Sequence, residues 1–203
     1  YIESIKISTP NLIIKSQSVN PDDTIIKASS NSNIFHVTAS NTTISGFKIE
    51  SGETGIYLSG CSGCTVTNNN LSGNKIGIYL LNSNYSTVSG NKANLNTGFG
   101  VQLINCEGNK VLNNNVNSNA RGISSITSNK NTISSNSASN NSAYGMWISQ
   151  SNENNILGNT VNESGTNGSG GGIHFNSSSR NTISGNIVAF NYGSGFFECP
   201  GCH

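Results

Sequence analysis

The sequence predicts an all-β protein: a right-handed parallel β-helix (β-solenoid) of about nine coils with about 22 residues each. Three observations support this prediction. An internal repeat runs through most of the chain, apolar residues within it alternate with a period of two, and asparagines recur at fixed positions. Period-two stretches such as Ile56 and Leu58 around Tyr57 are typical of strands, and no helical stripe competes with them.

The repeat is marked by an aliphatic anchor that returns every 22 to 27 residues. Three short strands with three turns fit into such a repeat, so each repeat can form one coil. Its inward residues then stack on their equivalents about 4.8 Å above and below. We therefore expect one β-helix domain over residues 1–203. The anchors are Ile44, Val66, Val88, Val111, Ile133, Ile156 and Ile183.

Asparagines follow the anchors in two columns. An inward asparagine can offer its amide donors and its carbonyl acceptor to the asparagine of the next coil, and it tolerates the left-handed backbone of sharp corners. We therefore expect asparagine ladders inside the solenoid. The first column is Asn69, Asn91, Asn114, Asn136, Asn159 and Asn186; the second is Asn74, Asn96, Asn119, Asn141 and Asn191, interrupted by Ser164.

Charge and hydropathy exclude several classes of function. Charged residues make up 9% of the chain, and the net charge of +1 comes without a Lys/Arg cluster, which argues against nucleic-acid binding. No apolar run approaches the ~18 residues that a membrane span needs. The chain begins at Tyr1 without an initiator methionine, so we expect a segment of a longer or processed protein.

Several stretches carry a resemblance to a known family: "TISGF" at 43–47, "TVTNNNLSGNKIGIYL" at 65–80 and "NTISGNIVAFN" at 181–191. "YIESIKISTPNLIIKS" at 1–16 looks like a first coil. They resemble the right-handed parallel β-helix repeats of NosD-like proteins and the carbohydrate-binding and sugar-hydrolysis repeats of archaeal and bacterial surface proteins. The resemblance implies the fold and an extracellular or cell-surface location. It does not fix the function, because lyases, glycosidases, adhesins and structural spikes share this fold.

Carboxylates decide between an enzyme and a non-enzymatic element, because polysaccharide lyases and hydrolases of this fold use clustered acids. Asp22 and Asp23 lie together near the start, and the glutamates occupy different repeat positions. Only Glu50 and Glu53 are close enough to share a site, and a solvated turn explains them more simply. We assign no catalytic residue and favour a non-enzymatic element. A polysaccharide lyase or glycoside hydrolase fragment is the alternative.

Cysteines are the next candidates for chemistry. Cys61 with Cys64 and Cys199 with Cys202 form two C-x-x-C pairs, but six coils, about 29 Å, separate them, so we expect no shared metal. Each pair can form a local disulfide. Cys199, Cys202 and His203 also match the attachment signature of a covalent c-type haem, although we expect no cofactor. Cys106 is left as a buried small residue or a link to another chain.

One outward column, named here the aromatic stripe, holds six rings in eight positions. The rings either stabilise the sheet by cross-strand pairing or form a platform for glycans or a neighbouring chain. Neither end of the chain carries an amphipathic lid, so we also expect head-to-tail or lateral self-association. Threonine and serine rows beside the anchors leave ice binding as a further alternative. The stripe is His36, Tyr57, Tyr79, Gln102, Ser124, Trp147, His174 and Phe197.

Overall fold

The structure is a computed structural model that describes residues 1–18, 20–29, 31–168 and 170–198. The described chain winds into a β-solenoid whose strands belong to two long sheets and two short ones, with one 3-10 helix at Pro21–Asp23. The predicted all-β, β-solenoid fold is confirmed. Nine strands in the longest sheet agree with the predicted count of about nine coils.

Each long sheet receives one strand from each coil it passes. The nine-stranded sheet contains Ile5–Ile7, Asn33–Val37, Thr54–Ser59, Ile76–Leu81, Phe99–Ile104, Arg121–Ile126, Tyr144–Ser149, Gly171–Asn176 and Ser194–Glu198. The eight-stranded sheet contains Ile13–Lys15, Thr43–Ser45, Thr65–Thr67, Thr87–Ser89, Lys110–Leu112, Thr132–Ser134, Asn155–Leu157 and Thr182–Ser184.

Among the described residues, the third face of the solenoid has strands only near its two ends. Ile25–Lys27 pairs with Lys48–Glu50, and Thr160–Asn162 pairs with Ile187–Ala189. Single parallel bridges continue this face through the middle coils, for example between Asn70 and Lys92. Every named strand pair is parallel, and equivalent residues of successive coils lie opposite each other, as Ile56 does with Ile78. The repeat register read from the sequence is therefore also the register of the sheets.

The core consists of aliphatic columns that face each other across the solenoid. Ile56, Ile78 and Val101 point inward from the nine-stranded sheet and are fully buried. The anchors of the eight-stranded sheet are equally buried except Ile183, which is 39% exposed. Burial of such side chains contributes about 1.5 to 3 kcal/mol each, so these columns are the main source of stability.

Left-handed backbone recurs at four positions in each of two successive coils. One coil turns at Gly60, Gly63, Asn68 and Gly73, all with positive φ, and the next coil turns at the equivalent positions. Glycine and asparagine tolerate this conformation best, which accounts for their abundance in a chain with few charges. The next coil uses Asn82, Tyr85, Gly90 and Leu95, so bulky residues also occur at corners.

The recurring glycine before the inward aliphatic residues has a steric cause. A Cβ placed on Gly122 would lie 2.6 Å from the backbone oxygen of Gly145 and 2.7 Å from Nδ2 of Asn141. Neighbouring coils thus approach too closely here for any side chain. Gly55, Gly77 and Gly100 make the same close approach.

The predicted asparagine ladders are present, and their side chains are buried except those of Asn186 and Asn191, which are half-buried. In the second ladder, the Nδ2 atoms of Asn96 and Asn141 are buried without a hydrogen-bond partner among the described residues. Oδ1 of Asn114 accepts the backbone N–H and the side-chain amide of Asn91, while its Nδ2 donates to the carbonyl of Val88 at 2.9 Å. The same pattern links Asn114 to Asn136. A third ladder, which the sequence reading missed, runs through Asn109, Asn131, Asn154 and Asn181.

Candidate functional site

The aromatic stripe lies on the outer face of the nine-stranded sheet, where strand alternation placed it. Its residues are Cα partners in successive coils, from His36 opposite Tyr57 to His174 opposite Phe197. In its first part, the His36 and Tyr57 rings stack at 4.9 Å and 17°, and the Tyr57 and Tyr79 rings at 5.0 Å and 14°. Burial raises the pKa of Tyr79, and the charge of Tyr57 contributes in the same direction.

The second part of the stripe repeats this stacking with larger rings. Trp147 and His174 stack at 4.6 Å and 5°, and His174 and Phe197 at 4.6 Å and 11°. Burial lowers the pKa of the His174 imidazole. Because Tyr57 and His174 each have a ring on both faces, they contact their neighbours more than solvent, and the stripe stabilises the sheet.

The gap in the stripe at Gln102 and Ser124 is filled by a neighbouring side chain. The guanidinium carbon of Arg121 lies 5.3 Å from the ring centre of Trp147, 5.4 Å from that of Phe99 and 5.8 Å from that of Tyr144. Ser124 is 0% exposed, so the gap is closed to solvent. The Oγ of Ser124 has no hydrogen-bond partner among the described residues.

Arg121 belongs to a second outward column that the sequence reading missed. Residues two apart in a strand normally point to the same side of a sheet, so Phe99 would be expected to point inward with Val101. Gly100 between them also faces inward, which interrupts the alternation, and Phe99 points outward. Phe99 and Arg121 therefore share the outer face with the stripe, as their contacts show. This column runs in register through Ile76, Phe99, Arg121, Tyr144, Gly171 and Ser194.

A third outward column is aliphatic. Leu81, Ile104 and Ile126 are consecutive partners in register, and each is half-buried. We call the aromatic stripe and these two flanking columns together the outer face. The outer face combines aromatic and aliphatic side chains with small and polar ones such as Gln102, Ser124 and Ser194, and it carries few charges.

A cleft of about 180 Å³ opens in the outer face where the second column changes to small residues. Tyr144 bounds the cleft on one side, and its ring meets Trp147 at 65° and His174 at 60°. Gly171 and Ser194 follow Tyr144 in the column and leave the space that larger side chains would fill. The cleft is lined by Tyr144, Gly170, Gly171, His174, Ser194 and Phe197.

The acidic pair singled out in the sequence is engaged in ion pairs. Glu50 bonds to Lys27 at 2.9 Å and to Lys48 at 3.2 Å, and these lysines lower the pKa of its carboxyl group. Glu53 pairs with Lys75 of the next coil. Both carboxylates therefore have cationic partners.

The three cysteines that the structure describes, Cys61, Cys64 and Cys106, lie in turns of the solenoid. The sulfurs of Cys61 and Cys64 are 3.3 Å apart, and both are buried free thiols, so their disulfide stays a prediction. Their shared hydrogen bond and burial raise the pKa of Cys61, while the same bond lowers the pKa of Cys64 to about 7. Cys106 is buried as a small apolar residue, and burial raises the pKa of its thiol. Cys199, Cys202 and His203 lie outside the described residues, so haem attachment and a disulfide there stay predictions.

One family model matches the chain, over residues 5–166 and again over 98–203; it is described as "Periplasmic copper-binding protein (NosD)". No protein of curated function matches. The chain is similar in fold to the A-module of mannuronan C-5 epimerase AlgE4 from Azotobacter vinelandii, with a TM-score of 0.74, 16% identity and coverage of 98% of this chain and 58% of that one.

Two further solved structures share the fold at low identity. A double mutant of the periplasmic alginate epimerase AlgG gives a TM-score of 0.61 at 15% identity, covering 92% of this chain and 55% of that one. The full-length tailspike protein 2 of an Escherichia coli O157:H7 bacteriophage gives 0.61 at 14% identity, covering 91% and 34%. The chain thus spans little more than half of the two epimerase chains.

The family description names copper, which proteins bind through clustered donor side chains. Among the described residues, no cluster offers three or more such ligands. Within residues 1–18, 20–29, 31–168 and 170–198, no three of His, Cys, Asp and Glu come together. His36 and His174 lie in separate parts of the stripe, and Cys61 and Cys64 form a pair of thiols in a turn. Over the same residues, no helix is long and apolar enough to cross a membrane.

Proposed function

This chain belongs to the NosD family, and we propose that its outer face binds an extended glycan without catalysing its breakdown. In this proposal the protein is a glycan-binding element of the cell surface or extracellular space, and the glycan lies along the solenoid axis. The observation that carries the proposal is the cleft beside Tyr144, His174 and Phe197.

The chemistry of the cleft suits a sugar ring. A pyranose has apolar C–H faces and polar hydroxyl groups, and aromatic side chains pack against the former while their polar atoms bind the latter. Tyr144 stands edge-on to the stripe, so its ring is a side wall. His174 and Ser194 supply hydrogen-bonding groups at the same place.

The shape of the outer face suits a polymer. Stacked coils repeat every ~4.8 Å, so the second column extends the surface along the axis from the cleft toward the N-terminal coils, through Tyr144, Arg121 and Phe99. The titles of the similar structures name enzymes of mannuronan and alginate and a phage tailspike. At their low identity to this chain, these names support glycan binding only as an analogy of fold.

An enzymatic role remains the alternative for this fold. A pair of carboxylates would be needed for acid and base catalysis of glycoside hydrolysis. At the outward positions of the nine-stranded sheet that the structure describes, the side chains are aromatic, aliphatic, small, polar or cationic. This composition favours binding over hydrolysis at the outer face.

Filling the cleft tests the proposal. Ser194→Tyr places a ring in the cleft from an exposed position, so we expect glycan affinity to fall about tenfold or more while the melting temperature stays unchanged. Ser184→Tyr is the matched control, because it adds the same ring to the eight-stranded sheet, also at an exposed position. Binding is measured by calorimetry after a screen of extended neutral and acidic oligosaccharides.

Three outcomes contradict the proposal. The wild-type chain binds no glycan in the screen, Ser194→Tyr binds as the wild type does, or product analysis shows that the bound oligosaccharide is cleaved. Light scattering adds a separate readout. If the wild type self-associates but binds no glycan, and Ser194→Tyr abolishes the self-association, the outer face is an assembly surface instead.

A further inference from the structure

The outer face has a charge of one sign. At its outward positions, within the residues that the structure describes, the charged side chains are Lys6 and Arg121, both cationic. Lys6 lies at the first coil, five coils or about 24 Å from Arg121. The five ion pairs of the described residues involve other cations, so no carboxylate neutralises Arg121.

Arg121 is held in place by aromatic rings. Its guanidinium is within 6 Å of the ring centres of Phe99, Tyr144 and Trp147, the range of cation–π attraction. The residue is half-buried, and its Nε is buried without a hydrogen-bond partner in the described part of the chain. The group is thus oriented before any ligand arrives, which lowers the entropic cost of binding.

A guanidinium in such surroundings favours an anion. Its planar donors match the two oxygens of a carboxylate or sulfate, and the low dielectric of the rings strengthens the attraction. Tyr144 lies between Arg121 and the cleft, since it is the next residue of the same column. An anion on Arg121 would therefore belong to the unit next to the sugar in the cleft.

We propose that Arg121 binds the acidic group of a uronate or sulfated sugar, so that the outer face selects acidic glycans. This inference rests on the proposed glycan-binding function and names its ligand class. Stacking on Tyr144 and Trp147 holds the guanidinium, and the anion supplies the charge that the outer face lacks.

The test compares ligands that differ in charge or in length. An oligouronate, its carboxyl-reduced neutral counterpart of equal length and a sulfated oligosaccharide are titrated into the whole chain, with the free uronate monomer as a fourth ligand. We expect the oligouronate or the sulfated chain to bind about tenfold or more tightly than the neutral one. The monomer is expected to bind far more weakly, because it lacks the contacts along the outer face.

Variants then assign the preference to Arg121. Arg121→Gln is expected to weaken acidic binding about tenfold to a hundredfold and neutral binding less than twofold. Arg180→Gln, which removes the same charge from an exposed corner, should leave both unchanged. Arg121→Lys keeps the charge but not the planar donors, so an intermediate, acid-specific loss is expected, and this variant carries the test if Arg121→Gln does not fold.

The outcomes separate the two proposals. Equal losses for acidic and neutral ligands in the Arg121 variants overturn the role of Arg121 but leave glycan binding in place. If the wild type binds charged and neutral chains with equal affinity, the role of Arg121 is likewise overturned and glycan binding is kept. A wild type that binds none of the oligosaccharides overturns both. If the free uronate monomer binds tightly, the ligand is a small acid and the proposal of a polymeric ligand is wrong.

Discussion

The asparagine ladder inside the solenoid and the aromatic stripe outside it are both columns of residues in register, but different forces hold them. Inside, each asparagine exchanges directional hydrogen bonds with the coils above and below, shielded from water. Outside, rings make apolar contacts at 4.6 to 5.0 Å with one side open to solvent.

The two columns differ in how strictly residue type is determined. The interior column keeps asparagine from Asn69 to Asn186 because a buried donor or acceptor without a partner costs about 1 to 3 kcal/mol. The outer column accepts Gln102 and Ser124, since a side chain of the next column fills the space. Where water is excluded, most ladder positions of this solenoid carry asparagine or, as at Ser86 and Ser164, another hydrogen-bonding residue. The outer column tolerates residues without a ring, because a neighbouring column can cover the gap.

Breaking the interior ladder should have the largest effect on stability. Asn114→Leu leaves the backbone N–H of Asn91 and the carbonyl of Val88 without the partners they have now, so we expect a loss of about 2 to 4 kcal/mol in the free energy of unfolding. The control is Asn115→Leu, the same change at the exposed neighbouring residue. Denaturant titration of both variants measures the difference, and equal stabilities would mean that the ladder is solvated.

Breaking the outer column should cost less. Tyr57→Ser removes the ring between His36 and Tyr79 and with it two stacking contacts, for which we expect a loss of about 1 to 2 kcal/mol. Tyr192→Ser, at an exposed position, provides the baseline for losing a tyrosine. If Tyr57→Ser proves as costly as Asn114→Leu, the distinction between the two columns is wrong.

Much of the fold could be predicted from the sequence because residues in contact between successive coils of a solenoid recur at a fixed spacing along the chain. The anchors, the two asparagine columns and the outward side of Tyr57 or Trp147 follow from spacing and strand alternation alone. The ladder from Asn109 to Asn181 was missed because Cys64 and Ser86 occupy its first positions, which hides the column in the early coils.

The candidate site was harder to predict than the fold. The sequence did not reveal the outward column of Phe99, Arg121 and Tyr144, because an inward-facing glycine interrupts the strand alternation just before the stripe. Side-chain torsions, which spacing does not specify, decide whether rings stack on each other or present their faces to a ligand. The sequence therefore placed the stripe correctly, but it did not show that Arg121 fills its gap or that a cleft lies beside Tyr144.

The smallest effect concerns the pH dependence of the outer column. Burial holds the pKa of His174 below its ordinary value of 6.5, so the folded chain binds a proton there less readily than the unfolded chain. Above pH 6.5 both states are neutral at this position and stability is unaffected. As pH falls below 6.5 the unfolded state is protonated first, and we expect stability to decline until the folded imidazole is protonated too.

His174→Phe keeps a ring between Trp147 and Phe197 but cannot take up the proton. Melting curves from pH 8 to 5 should therefore show a shallower decline in this variant than in the wild type, and parallel curves would mean that His174 titrates as if exposed.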